Sequence, residues 1–379
     1  MNFDFTEEQQ AIAELSGQIL GDLVTHERLK ELERSGAPLF VADAWAELAK
    51  ANLLGICLPE SDGGSGLGFL EACIVLDQIG RTVAPLPYLA TVVCGALPLA
   101  EFGTEHQRRR WLPGVITGET ILSAGLAELG SGVAAVTPRP STMAEAIGGG
   151  YRLHGEKAFV SYAQQAAALL VPARTEDDRT IVALVETTRP GVRIEPLLTT
   201  SGLPEGLVTL AGVEISPDEV LGGTAADGEE IVSWIADRAT VGVCALQAGV
   251  CAAALKLTAT YTSERHQFGV PIATFQAVAH RAADAYTDSN GVALTMWQAA
   301  WRLSAGLPAA DEIDIAKFWA ADGGQRMIHA CQHLHGGIGV DTDYSLHRYF
   351  RWSKHLELTL GGASEHLRFL GARLASEPV

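Results

Sequence analysis

Arg265, Gln267 and Phe268 stand together in Glu264-Arg265-His266-Gln267-Phe268-Gly269-Val270-Pro271-Ile272, a stretch that continues through Phe275-Gln276 to His280. A guanidinium beside backbone N–H groups makes paired, charge-assisted hydrogen bonds to a pyrophosphate. The same arginine at a helix C-terminus also serves simply to complement the helix dipole. A second cluster is Cys331-Gln332-His333-Leu334-His335-Gly336-Gly337-Ile338-Gly339, followed by Asp341 and Tyr344-Ser345-Leu346-His347-Arg348. Paired glycines after a helix let backbone approach a ligand closely, or form an ordinary C-cap loop. His333 and His335 are two apart and point to different helix faces, so no metal site is expected. Among carboxylates, Asp237 lies beside Arg238, where a solvated or salt-bridged role is simplest, and Glu365 lies one turn beyond Gly361.

The elements that must hold these residues follow from periodicity. Thr6 to Gln9 reads as a capping box opening a helix, and Thr104 with Gln107 as another. Helical patterns cover roughly 40–51, 67–80, 86–102 and 104–117. The Gly-rich run Leu58–Gly66 is a loop; a phosphate cradle would need a preceding strand and a Lys. After Glu119 short β-branched runs take over: Tyr151–His154, Ala167–Val171, Thr180–Val185 and Val208–Ile215, with Gly148-Gly149-Gly150 the clearest turn signal. Their connections are too short for crossover helices, which predicts an antiparallel β-domain. From about residue 229 the helical period returns. Leu246, Val250, Ala253, Leu257 and Tyr261 share a face, as do Phe275, Ala279, Ala282 and Tyr286. Ile313, Ala316, Ala320, Met327, Cys331 and Leu334 mark a third helix and 363–374 a last one. Long, Ala-rich, sparsely charged helices imply a bundle whose outer faces are also covered, hence an oligomer.

Bulk composition narrows the partners. The 379 residues are 47% hydrophobic, enough for two or three domains, and carry a formal net charge of −18. That charge argues against nucleic acid or an anionic membrane as the partner. Six cysteines without a C-x-x-C read as buried thiols in a reducing cytoplasm. Met1-Asn2-Phe3-Asp4-Phe5 shows no signal-peptide pattern, and no apolar run is expected to reach the ~20 residues that span a bilayer.

The pattern R-x-Q-F-G-x-P-I-x-x-F-Q-x-x-x-H resembles a signature of the acyl-CoA dehydrogenase flavoproteins, and the resemblance extends over nearly the whole chain. It implies a mainly α fold with a central β-domain. Its parts would be a helical N-terminal domain (1–119), an antiparallel, barrel-like middle domain (120–225) and a C-terminal four-helix bundle (226–379). It further implies FAD as cofactor, an acyl-CoA thioester as substrate and an electron-transferring flavoprotein as electron acceptor. By the resemblance, Arg265 and Phe268 hold the FAD pyrophosphate and adenosine, with Gln267 and Gln276 in the same region. The Cys331–Gly339 run is similar to the family's Q-x-x-G-G-x-G loop, so Gly336 and Gly337 would contact the adenosine portion of a neighbouring subunit's FAD. His333 stands where the family usually has Gln.

The ring side of the resemblance is less intact. Gly125-Leu126-Ala127-Glu128-Leu129-Gly130-Ser131-Gly132 matches T-E-P-x-x-G-S-D, with Ala127 in place of the Thr near the flavin. Lys157-Ala158-Phe159-Val160-Ser161-Tyr162-Ala163 is similar to K-x-W-I-T-N-G, which would put Phe159 on the flavin and the Ser161 hydroxyl near N5. Both are equally ordinary strand residues. Leu360-Gly361-Gly362-Ala363-Ser364-Glu365-His366-Leu367-Arg368 matches Y-E-G-T-S-x-x-x-R, so Gly361 occupies the place of the catalytic Glu and Ala363 that of the Thr. Glycine cannot abstract a proton. Relatives that carry the base upstream of the arginine would have it at Ala239 here. Asp237 is roughly 200° around the helix from that position and serves only if the helix is irregular. The expectation is therefore a β-oxidation-type enzyme of lipid or steroid catabolism. This chain would bind the FAD tail in a heterotetramer whose paralogous partner supplies the base. A homo-oligomer using Asp237 and a non-catalytic scaffold are the alternatives.

Overall fold

The computed structural model describes residues 4–130, 136 and 139–376. The first helices are α1 (Glu7–Leu23), α2 (His26–Ser35), α3 (Ala42–Lys50) and α4 (Phe69–Thr82). A π-helical stretch, Leu89–Ala96, then runs into α5 (Leu97–Phe102) and α6 (Glu105–Ile116). Both expected capping boxes form: Thr6 accepts from the Gln9 N–H and Thr104 from the Gln107 N–H, each Gln side chain reaching back. Seven strands follow: β1 (Leu122–Ala124), β2 (Met143–Ile147), β3 (Gly150–Ser161), β4 (Ala168–Thr175), β5 (Thr180–Glu186), β6 (Val192–Leu197) and β7 (Glu205–Ile215). The rest is helical apart from a short ribbon, β8 (His266–Gln267) with β9 (Val270–Pro271). Its helices are α7 (Gly228–Glu264), α8 (Gln276–Ser304), α9 (Ala310–Phe318), α10 (Gly324–His335), α11 (Leu346–Leu358) and α12 (Ala363–Ser376).

The chain divides into two compact units. One holds Gly36–Ala72 and Pro85–Ala239. Its sheet runs β1-β4-β2-β3-β7-β6, with β5 on the other edge of β4. β2 and β3 join through Gly148-Gly149, the latter at φ +105°. The expectation of a wholly antiparallel sheet needs correcting. Four pairings are antiparallel, but β1 and β2 lie end to end along one edge of β4 and both pair with it in parallel. No crossover helix is needed, because the β2–β3 hairpin and its connections supply the chain length that parallel pairing requires. Alternate residues of these strands, among them Leu153, Val160, Leu169, Val171, Val208 and Leu210, close into one apolar core.

The other unit gathers the described residues up to Ser35, Cys73–Ala84 and those from Thr240 onward. Leu246, Val250, Met296, Ala316, Met327, Cys331, Leu334 and Leu356 are buried in it. The third expected helix is real but interrupted, with Trp319–Gly323 opening into a π-helical turn between α9 and α10. Residues 276–287 of α8 bury only Ala285 in this chain, and Tyr286, Leu294 and Trp301 are exposed. All six cysteines are buried and free. One expectation fails: an 18-residue stretch of α7 is long and apolar enough to cross a bilayer, and 72% of that stretch is buried within the protein. Its small apolar residues fill the interior of the fold.

Candidate functional site

At the end of α7 the Arg265 N–H still donates to the Tyr261 carbonyl at 2.8 Å, and the Arg265 carbonyl accepts from the Ile272 N–H at 2.8 Å. Between these bonds the chain reverses through Phe268 and Gly269, at φ +53° and +83°. A two-residue hairpin with positive φ at both positions favours Asn-Gly or Gly-Gly, and a bulky aromatic at the first is strained by about 1–3 kcal/mol. Nothing among the described residues buries that aromatic: Phe268 is 93% exposed and meets Phe275 edge-on at 6.2 Å. Gln267 is exposed on the same ribbon and Gln276 at the start of α8, and Arg265 forms no ion pair among the described residues.

The second cluster lies beside the first. Tyr261, one turn before Arg265, stacks on His335 at 4.5 Å, and His335 immediately precedes Gly336. The His335 Nδ1 donates to the Cys331 carbonyl at 2.8 Å, which leaves Nε2 to accept from the Tyr344 hydroxyl at 3.1 Å. Burial holds its pKa below the usual imidazole range. His333 instead points outward, and among the described residues no His/Cys/Asp/Glu group could hold a metal. Gly336 ends α10 at φ +63°, a conformation that favours glycine. Gly337 has no such need, and a Cβ there would touch nothing within 4 Å. Gly339 differs again, since a Cβ would collide with Gln332 at 2.6 Å. Gly337 is thus the glycine that packing within this chain leaves unexplained.

In the sheet unit, the β3–β7 ladder slips between Lys157 and Val160, and Phe159 is thrown out at φ +53°, 59% exposed. The slip is pinned from below. Lys157 is fully buried and its Nζ donates to Glu128 Oε1 at 2.5 Å. Glu128 also accepts from Ser141 (N–H 2.6 Å, Oγ 2.5 Å) and Thr142 (N–H 3.1 Å, Oγ1 2.6 Å). Burial alone would raise the Glu128 carboxyl, but the Lys157 charge and these donors outweigh it and bring it down to about 2. The Ala158 N–H bonds the Ala127 carbonyl at 2.9 Å, so the segment before Glu128 is stitched to the bulge. Ser131 and Gly132 lie outside the described residues. Ser161 ends β3 paired with Glu205, and its carbonyl accepts from Ser123 Oγ at 2.6 Å. Glu205 is buried and burial pushes its carboxyl up to about 7. A lone Glu after Pro204 gave no sequence signal of that.

At the remaining position, Leu360 and Gly361 turn the chain at φ +57° and +100°. A Cβ on Gly361 would lie 3.0 Å from His366 Nε2 and 3.3 Å from Glu365 Oε2. Glu365 closes the start of α12, its Oε2 accepting from the Gly362 N–H at 2.7 Å. The irregularity that Asp237 would require does not occur: α7 is continuous from Gly228 to Glu264. Asp237 is consequently exposed while Ala239 is buried, and the neighbouring Arg238 lays its guanidinium over Trp234 at 3.5 Å.

Comparison with known proteins agrees along the chain. Family models described as the N-terminal, middle and C-terminal domains of acyl-CoA dehydrogenase match residues 6–119, 123–209 and 226–375. The chain is 38% identical to acyl-CoA dehydrogenase FadE27 of Mycobacterium tuberculosis, with all of both chains covered. Its fold is similar to that in the ChsE4-ChsE5 complex from Mycobacterium tuberculosis, with TM-score 0.93, 38% identity and all of both chains covered. It is also similar to the Tcur3481-Tcur3483 steroid ACAD, with TM-score 0.89 and 41% identity over 97% of this chain and 98% of that one.

Proposed function

The chain belongs to the acyl-CoA dehydrogenase family, and on that footing we propose that it is the cofactor-tail subunit of a heteromeric acyl-CoA dehydrogenase whose paralogous partner supplies the catalytic base. The observation that carries this reading is a contrast between two positions of one chain. At Gly361 no carboxylate is present, and the position where a side chain would start is crowded by His366 and Glu365. At Phe268 and Gly337 an exposed, strained aromatic and an unfilled glycine face outward with no use inside the chain.

The residues of these two clusters suit FAD. In this reading Arg265 would grip the pyrophosphate through paired hydrogen bonds, with Gln267, Gln276 and His333 as exposed polar neighbours. Phe268 would cover the adenosine, and Gly336 and Gly337 would let the backbone close on it. Phe159 and Ser161 would line the ring of the FAD held against this chain's own sheet. When bound, FAD would supply the hydride-accepting chemistry that α,β-desaturation of an acyl-CoA requires. The α-proton must pass to a base within hydrogen-bond reach, and this chain offers none at Gly361 or Asp237.

Of the two similar structures described above, one is the ChsE4-ChsE5 complex and the other carries the paired name Tcur3481-Tcur3483, which supports a mixed tetramer and, from the second, a steroid-type acyl group. The exposed apolar residues of α8 give such an assembly a surface to cover. Transfer of electrons to an electron-transferring flavoprotein, a cytoplasmic setting suited to six free thiols, and a three-part division at 1–119, 120–225 and 226–379 complete the proposal. Co-expression with the paralogous subunit tests it. The complex should be yellow and oxidise acyl-CoA with an artificial acceptor, while this chain alone retains little flavin and turns nothing over. Full flavin loading and turnover by this chain alone would refute it. A colourless complex would favour a scaffold.

A further inference from the structure

His335 lies where the two exposed clusters meet, yet neither of its ring nitrogens is free to meet a ligand. The residue is 4% exposed. Nδ1 faces the Cys331 carbonyl at 2.8 Å, which can only accept, so Nδ1 carries the proton. Nε2 is then the acceptor, and the Tyr344 hydroxyl fills it at 3.1 Å. Burial, which holds the ring below the usual imidazole range, favours the same neutral form. Tyr261 covers one face of the ring, with centroids 4.5 Å apart and planes 18° from parallel. Tyr344 completes the group, its ring centroid 5.3 Å from that of His335 and 6.3 Å from that of Tyr261.

Three separate stretches thus converge on one imidazole. Tyr261 lies one helical turn before Arg265, and its carbonyl accepts from the Arg265 N–H at 2.8 Å. Side chains four apart on a helix share a face, so the stack holds the turn of α7 from which the guanidinium leaves. His335 is the final residue of α10, and Gly336 follows it directly at φ +63°. Tyr344 stands before α11, and its N–H bonds the Asp341 carbonyl at 3.1 Å, closing the turn that follows Gly336–Val340. Gln332 ties the same segment to α10, its Nε2 donating to the Gly336 carbonyl at 3.2 Å. Arg265, Gly336 and Gly337 are all exposed, whereas the ring that connects their supports is buried. Two anchors for one ligand cooperate only when their separation is already held, because the cost of ordering them is then not met on binding.

We propose that His335 is a positioning residue: stacked on Tyr261 and hydrogen-bonded by Tyr344, it sets the separation between Arg265 and the Gly336–Gly337 backbone, so that both grip one ligand bearing a diphosphate and a nucleoside. The inference rests on the reading of those two clusters as the cofactor-tail site. It adds that the histidine beside the glycine pair serves the site without touching the ligand.

The test uses the full-length chain and two probes, ADP and inorganic pyrophosphate, titrated by ligand-observed NMR, which reads weak binding. Pyrophosphate engages Arg265 alone, whereas ADP needs Arg265 and the glycine pair at their native separation. Tyr261→Leu removes the stacked ring and should weaken ADP binding about 3–10-fold, the range one aromatic pair supplies. Pyrophosphate binding should stay within about twofold of wild type. Tyr261→Phe keeps the stack and should hold ADP binding within about twofold as well. Tyr344→Phe removes only the hydroxyl on Nε2 and should weaken ADP about 2–10-fold, which keeps the test open where Tyr261→Leu does not fold. Unchanged ADP binding in Tyr261→Leu and Tyr344→Phe would overturn the proposal. So would an equal loss of ADP and pyrophosphate, the mark of a merely structural role. Failure of the cofactor-tail reading looks different: the wild type binds neither probe, or Arg265→Ala binds both as before, and the inference falls with it.

Discussion

Placing any side chain at Gly361 should destabilise the protein, and part of the penalty should vanish when the His366 ring is removed. Two terms set the magnitude. At φ +100° an L-residue is held in a sparsely populated region, at about 1–3 kcal/mol. A Cβ 3.0 Å from His366 Nε2 and 3.3 Å from Glu365 Oε2 overpacks a filled site, at about 1–3 kcal/mol more. Gly361→Ala should therefore cost about 2–6 kcal/mol. At about 2–4 °C per kcal/mol for a domain of 150–250 residues, the midpoint should fall by at least about 4 °C. His366→Ala carries its own cost, so the informative quantity is the coupling in a double-mutant cycle. Gly361→Ala in the His366→Ala background should recover the crowding share, about 1–3 kcal/mol, and leave the backbone share. Thermal unfolding of the four proteins measures it. Gly361→Glu should suffer the same penalty and give the isolated chain no dehydrogenase activity, because His366 and Glu365 crowd the position from which a carboxylate would be presented. Additive costs in the cycle, or turnover restored by Gly361→Glu alone, would refute the reasoning.

Two further outcomes follow from particular contacts. Phe268→Gly should raise the unfolding midpoint of the chain, since relief of about 1–3 kcal/mol of strain exceeds the ~0.5–1 kcal/mol that glycine loses in entropy. The same change should lower the flavin retained by the complex, and a fall in both would make Phe268 merely structural. Glu128→Gln should cost about 3–5 kcal/mol at neutral pH by leaving Lys157 buried without its partner. The Glu128 carboxyl is held at about 2, below its ordinary 4.5, so its contribution is complete above about 4.5 and is lost as pH falls towards about 2. The difference between wild type and Glu128→Gln in a pH series of unfolding midpoints should shrink over that interval; a constant difference would count against the clamp.

Much of the fold was legible because local chemistry and burial agree. The capping boxes at Thr6 and Thr104, the glycine turn between β2 and β3, and the apolar stripe ending in Leu334 each work through neighbours a few residues away. The parts that were missed depend on distant pairing. β2 has alternating Ala and Glu, and β6 contains Arg193, Glu195 and Pro196, so neither advertises a strand until β3 and β7 supply its ladder. The parallel placement of β1 and β2 on β4 has no local signature at all. Nor does the π-helical turn at Trp319–Gly323, which preserves the apolar spacing well enough to read as one uninterrupted helix.

The candidate site divides along the same line, and the division explains why its two halves carry such different weight. Arg265, Phe268, Gly336 and Gly337 belong to two short contiguous stretches whose hairpin and helix stop are written in adjacent residues. Around Gly361 the deciding residues come from separate helices: Asp314 from α9, and His366 with Arg373 from α12. Sequence spacing could show that no carboxylate stands there, but not that His366 and Glu365 crowd the position. A side chain begun at Gly361 would lie 3.0 Å from the His366 ring, which Asp314 of α9 and the Leu360 carbonyl hold in place. A site that had merely lost its base would be open to repair by one mutation. Around Gly361 the crowding side chains are themselves hydrogen-bonded, His366 to Asp314 and Glu365 to the Gly362 N–H, which is what the proposed division of labour between two subunits would predict.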